Sequence, residues 1–123
     1  WEALTSASKY KLDNLVVIID RNRLQITGNT EEVNPIEPLA EKFKSFGFSI
    51  KEINGNSVEE LDNIFKQVPF DINKPNLIIA NTSKGKGISF IENVVSWHHR
   101  VPTDEEYKLA IEELNLEHKK LAQ

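Results

Sequence analysis

The sequence predicts an α/β domain of three layers, with helices on both faces of a mainly parallel sheet. Three features carry that expectation. The apolar runs Leu15–Ile19 and Leu77–Asn81 are nearly continuous, as in parallel strands covered on both faces. Segments of helical spacing alternate with these runs at a pace that suits right-handed crossovers. Proline and glycine stand at the junctions: Pro35 and Pro38 ahead of one helix, Gly47 behind it.

The elements follow in order. Residues 1–12 set Ala3, Leu4, Ala7 and Tyr10 or Lys11 at helical spacing with no start signal ahead of them. Asn14 opens the first strand, and the polar stretch from Arg21 to Asn34, with Gly28, reads as a loop of functional length. The helix after Pro38 carries Leu39, Phe43 and Phe46. A second strand, Phe48 to Ile53, is more polar and belongs nearer an edge. Ser57 and Glu60 form a capping box ahead of an apolar stripe of Val58, Leu61, Ile64, Phe65 and Val68. Pro69 to Pro75 connects to the third strand, and a long loop with Gly85 and Gly87 runs to Pro102. Thr103 and Glu106 make another capping box, opening a last helix with Tyr107, Ala110, Ile111, Leu114 and Leu121 on its apolar stripe.

Composition narrows the function classes. A chain of 123 residues supports one modest core, so a single domain spanning 1–123 is expected. The net charge of −4, with Lys and Arg dispersed among acids, argues against nucleic acid or an anionic membrane as partner. No apolar segment approaches the roughly 20 residues of a membrane span. The absence of cysteine excludes disulfides and thiolate metal sites and fits a cytoplasmic setting. A first residue of Trp in mid-helix pattern, and no Met anywhere, suggest a piece of a longer chain.

Three segments carry chemistry. Asp20-Arg21-Asn22-Arg23-Leu24 follows the first strand, at the carboxyl edge where open α/β sheets bind ligands. The Asn22 side chain and the Leu24 carbonyl offer neutral oxygens of the kind Mg²⁺ accepts beside a diphosphate. Equally, Asp20 and Asn22 can simply build an Asx turn. Lys84-Gly85-Lys86-Gly87 follows the third strand; it fits neither a P-loop nor a dinucleotide fingerprint, and a phosphate cradle and a solvated turn are both open. In Trp97-His98-His99-Arg100, His98 can donate to a phosphate or move a proton near neutrality, or the histidines can be surface residues beside an anchoring Trp97. Adjacent histidines without a third ligand nearby make a poor metal pair. His118, on the last helix, is given no role.

Together these segments resemble the cofactor-diphosphate-binding domain of transketolase. The likeness runs through Trp1-Glu2-Ala3, Leu12-Asp13-Asn14-Leu15 and Asp20 to Gly28, which is similar to the second half of the thiamine-diphosphate motif. It continues through Glu37-Pro38-Leu39, Phe46-Gly47-Phe48, Ile53-Asn54-Gly55-Asn56, Lys84 to Gly87 and Trp97-His98. It is strongest to the amino-terminal subunits of bacterial split transketolases.

The resemblance implies a thiamine-diphosphate-binding fold, incomplete on its amino-terminal side, with thiamine diphosphate and Mg²⁺ as cofactors. Asn22 and Leu24 take the places of the side-chain and main-chain metal ligands, and Ile26 that of the apolar contact under the thiazolium. Lys84 resembles a lysine that meets the diphosphate in some members. His98 resembles the histidine near the diphosphate and the phosphosugar, which makes it the catalytic candidate. His99 departs from a commoner Gly and Thr27 from a commoner Asp. The implied reaction is transketolase chemistry, moving a two-carbon ketol unit from a ketose phosphate to an aldose phosphate in the pentose phosphate pathway, with the cofactor as electron sink. A Gly-Asp-Gly metal segment would precede Trp1, and the aminopyrimidine-activating glutamate belongs to a pyrimidine-binding domain or subunit. The chain alone is therefore expected to be inactive and to work as a homodimer or heterotetramer. Two alternatives stand beside this: a non-catalytic α/β interaction module, and another enzyme of the same cofactor superfamily.

Overall fold

The computed structural model describes residues 1–121. These form two compact units, one of Trp1–Arg21 with Pro35–Thr82, the other of Asn22–Asn34 with the chain from Ser83 onward.

In the first unit, helix α1 (Glu2–Lys9) precedes strand β1 (Val16–Arg21). Helix α3 (Leu39–Ser45), strand β4 (Ser49–Asn54), helix α4 (Val58–Phe65) and strand β5 (Asn76–Asn81) complete it. The sheet has three strands in the order β1-β5-β4, all parallel, with Val17 opposite Leu77 and Ile50 opposite Leu77 on the other side. The core lies on the face of Val17, Ile19, Leu77 and Ile79, where Ala7 of α1 and Leu39 and Phe43 of α3 pack with Phe48. The return from β4 to β5 runs through α4, which a right-handed crossover places on the opposite face. The α/β/α layering and the parallel sheet are as the sequence predicts.

Strand order corrects one expectation. Leu15–Ile19 reads as buried on both faces, yet β1 stands at the margin of the three described strands and Ile18 is 50% exposed. The central strand is β5, where Leu77, Ile78 and Ile79 are almost fully buried. Continuous hydrophobicity reports burial of a strand but not its rank in the sheet. Asn76 is also wholly buried, and both its polar side-chain atoms are satisfied: Nδ2 donates to the carbonyls of Asp13 and Leu15, while Oδ1 accepts from Phe70 N–H.

Helix ends follow their sequence signals. Glu37, not a hydroxyl residue, caps α3 by accepting from Leu39 N–H at 2.9 Å. Gly47 ends it at φ +87°, a left-handed conformation glycine adopts at no steric cost. Ser57 caps α4 through Glu60 N–H, but the Glu60 carboxylate returns to Asn54 N–H instead of to its own cap residue.

In the second unit, β2 (Leu24–Gln25) and β3 (Gly28–Asn29) form an antiparallel hairpin, followed by a short α2 (Thr30–Val33). The stretch expected as loop is thus partly ordered, because Ile26–Thr27 makes a tight reversal ahead of Gly28. A 3₁₀ turn (Val95–His98) and the long α5 (Asp104–Leu121) follow. The α5 capping box is reciprocal, Thr103 Oγ1 accepting from Glu106 N–H and Glu106 Oε2 from Thr103 N–H. Of its apolar stripe only Ala110 is buried; Tyr107, Ile111, Leu114 and Leu121 are exposed.

Candidate functional site

The carboxyl ends of β1 and β5 are tied by polar side chains within the first unit. Thr82 Oγ1 donates to the Asp20 carboxylate. Arg21 pairs with Glu37 through two nitrogens and donates to Asn81 Oδ1 at 2.8 Å. With the Arg21 side chain only 17% exposed, this pair is held largely out of water and is screened less than a surface pair. It is a feature that no local sequence pattern announces, since Arg21 and Glu37 belong to separate elements.

Asn22 opens the hairpin that follows. Its Oδ1 accepts from Leu24 N–H at 2.9 Å, so the Asx turn is present. That use does not exhaust the atom, because an amide oxygen has a second lone pair. Arg23, at φ +64°, occupies the left-handed region that such a tight turn imposes.

Pairing alternation then orients Leu24. Arg23 O accepts from Thr30 N–H at 2.9 Å, which makes that pair hydrogen-bonded and the next, Leu24–Asn29, non-hydrogen-bonded. In such a pair both N–H and C=O of Leu24 turn away from β3. The N–H reaches Asn22, so the Leu24 carbonyl shares the outer hairpin edge with Asn22 Oδ1. The two predicted metal-binding oxygens thus lie on one edge of one element.

At the hairpin tip Ile26 is 57% exposed, an apolar residue that the fold leaves without a covering layer. Gln25 presents the opposite case, and sequence reasoning missed it. Its Nε2 is buried with no hydrogen-bond partner among the described residues. An unmet buried donor costs about 1–3 kcal/mol.

The second unit also contains the Lys84 loop and the 3₁₀ turn. Lys84 is half-buried, and its ammonium has no ion pair among the described residues, whereas Lys86 pairs with Glu92. Gly85 is required for packing: at φ +71°, an added Cβ would stand 2.5 Å from Ile91 Cγ2. The loop is closed by Asn93 N–H donating to Lys84 O, and further along by Ser89, whose N–H and hydroxyl both donate to Glu113 of α5. Those bonds, the hydroxyl first, hold the Glu113 carboxyl below its ordinary range.

His98 ends the 3₁₀ turn, which packs against β2 of the hairpin. The imidazole is exposed and meets His99 edge to face at 4.9 Å. Trp97 is flanked by Phe90 at 5.6 Å and by the Arg100 guanidinium 4.4 Å above its ring. Arg100 also pairs with Glu106, whose carboxyl is held below its ordinary range by Thr103 N–H first and by Arg100 besides.

Asn22, Leu24, Ile26, Lys84 and His98 therefore fall in one unit, with the His98 turn directly against the hairpin. No cluster of three His, Asp or Glu side chains suited to a metal occurs among the described residues. A site of one amide oxygen, one carbonyl and ligand phosphates does not need one. The open hollow beside β4, about 440 Å³ and lined by Lys44, Ile50, Glu52, Asp71 and Lys74 among others, includes none of the site candidates. No described helix is long and apolar enough to cross a membrane.

Residues 1–122 match the family described as the transketolase, thiamine diphosphate binding domain. An apulose-4-phosphate transketolase subunit of Phocaeicola vulgatus is 45% identical over 94% of this chain and 41% of its own length. The 6-deoxy-6-sulfo-D-fructose transketolase subunit SqwG of a Clostridium species is 39% identical over 95% of this chain and 42% of its own. The chain thus spans about two fifths of these relatives. Among solved structures, transketolase from Campylobacter jejuni superposes with a TM-score of 0.68 at 26% identity, covering 97% of this chain and 22% of that one. A Pichia stipitis transketolase, at 21% identity and TM-score 0.67 over 96% of this chain and 21% of its own, shares the fold.

Proposed function

We propose, for a chain that belongs to the transketolase thiamine diphosphate binding domain family, that it anchors the cofactor diphosphate in a split transketolase. The observation that supports this most is the hairpin edge, where Asn22 Oδ1 and the Leu24 carbonyl lie on the same side. Asn22 and Leu24 would hold Mg²⁺ with neutral oxygens, leaving the charge balance to the diphosphate. Lys84 brings an uncommitted ammonium to the phosphate oxygens, and Ile26 an exposed apolar surface for a flat heteroaromatic ring. His98 donates to diphosphate or sugar oxygens and moves a proton near neutral pH. Thiamine diphosphate, when bound, supplies the electron sink for carbon–carbon cleavage.

The reaction proposed is transfer of a two-carbon ketol unit between a ketose and an aldose, in assembly with a pyrimidine-binding subunit as a dimer or heterotetramer. The relatives named for apulose-4-phosphate and 6-deoxy-6-sulfofructose favour a ketose with an anionic terminus as donor. Calorimetric titration of the full-length subunit with its partner tests the anchoring role. Binding of thiamine diphosphate that requires Mg²⁺ is expected. Absence of metal-dependent binding overturns the proposal in favour of a non-catalytic module.

A further inference from the structure

The residues from Phe90 to Glu106 contain a stack that the cofactor-anchoring role does not explain. Phe90 lies 5.6 Å from Trp97, and the Arg100 guanidinium lies 4.4 Å over the Trp97 ring while also reaching Glu106. Glu106 is itself immobilised, since Oε2 accepts from Thr103 N–H and its own N–H donates to Thr103 Oγ1. The guanidinium is thus fixed on one side by the start of α5 and on the other by the indole. Trp97 and His98 are consecutive in the 3₁₀ turn, and Trp97 N–H is bonded back to Val94 O at 3.3 Å. Fixing the indole therefore fixes the backbone from which the exposed imidazole projects. No other side chain hydrogen-bonds His98 among the described residues; its edge contact is with His99, which has none either.

We infer that Arg100 is a positioning residue for His98, acting through the Trp97 ring and anchored by Glu106. Its charge is committed to the carboxylate and the ring, so it is not itself the phosphate ligand that an exposed arginine beside two histidines suggests. Planarity matters more than charge here: lysine reaches Glu106 as a point charge but cannot lie flat on an indole. For catalysis this inference rests on the role proposed for His98; the positioning itself does not.

Two measurements on the full-length subunit test it. In ligand-free protein labelled at histidine, the His98 ring resonance, assigned with His98→Gln, should move in Arg100→Leu together with the Trp97 indole. The His118 ring should stay in place. Arg100→Lys should fail to restore the shifts, and Glu106→Gln should reproduce them in part. An unmoved His98 ring overturns the inference whatever the protein catalyses. In the assembled enzyme, Arg100→Leu should lower kcat/KM for the sugar phosphate about 10- to 100-fold. In a His98→Ala background it should add less than about twofold. Fully additive losses would make Arg100 an independent ligand and refute the coupling. Loss of Mg²⁺-dependent cofactor binding in the wild type would instead refute the anchoring role alone, leaving the ring shifts to decide this one.

Discussion

Asn22→Ala separates structural from ligand-binding roles at the hairpin. The substitution removes one hydrogen bond, Oδ1 to Leu24 N–H at 2.9 Å, in a half-buried turn. Such a bond contributes about 0.5–1.5 kcal/mol. It also releases one restraint on Arg23, whose left-handed backbone costs about 1–2 kcal/mol and is held by the Arg23–Thr30 pair as well. A stability loss of about 1 kcal/mol is therefore expected, too small to unfold the protein. On the proposed role, losing the Asn22 oxygen from the metal shell is a larger effect on binding, at least that of losing an outer-shell partner, about 10- to 100-fold in affinity for Mg²⁺ with the cofactor, or about 1.4–2.8 kcal/mol. Asn22→Asp supplies the control, because its carboxylate keeps both the turn acceptor and a metal-binding oxygen. Thermal melts and calorimetric titration of each variant, over a range of Mg²⁺, give the two numbers independently. The reasoning fails if Asn22→Ala leaves the Mg²⁺ dependence of cofactor binding unchanged. It fails equally if the variant loses several kcal/mol of stability, since Asn22 would then be a folding residue.

Gly85→Ala should cost about 2–4 kcal/mol, combining a left-handed backbone penalty with a Cβ at 2.5 Å from Ile91 Cγ2 and 3.0 Å from its carbonyl oxygen. Chemical denaturation measures it, and a loss under about 1 kcal/mol would show that the loop yields freely. Glu37→Ala should cost about 2 kcal/mol by stranding the mostly buried Arg21 and uncapping α3, and Glu37→Gln should recover the Leu39 N–H bond but not the ion pair. The lowered Glu113 carboxyl sets a pH dependence. Its contribution is complete above the ordinary carboxylate value of 4.5 and is lost as pH falls through the lowered value in the folded state. The Ser89 amide resonance should hold steady from neutral pH through 4.5 and move only below it, and Glu113→Gln should abolish that step.

How far the sequence was legible depended on the range of the interactions. Strand identity, the Ser57 and Thr103 caps and the Gly47 stop are local, and each signal acts where it is written. Strand order is not local. The run Leu15–Ile19 is as apolar as Leu77–Asn81, yet among the described strands only the latter lies centrally, because pairing partners are chosen across some sixty residues of chain. The same holds for α5, whose stripe has correct periodicity but remains mostly uncovered within the described residues. Periodicity records which face seeks burial and says nothing of what provides it.

At the candidate site, the two readings left open for Asn22 turn out to be compatible. The Asx turn that would make Asn22 merely structural is the device that puts Oδ1 on the Leu24 edge. An Asn side chain folded back on residue i+2 fixes its own oxygen, and a tight hairpin of fixed register then fixes the next carbonyl beside it. Pre-setting two neutral oxygens in this way removes ordering costs that a flexible loop would meet only on binding. The test of that point is Gly28, which follows the reversal at Ile26–Thr27 with φ +157°, a backbone few residues share. Gly28→Val should disturb the register without touching either oxygen donor. If the hairpin geometry carries the site, cofactor affinity should fall as far as in Asn22→Ala, although both proposed ligating groups remain. Unaltered affinity would mean that the oxygens act as isolated ligands and that the strand pairing is incidental.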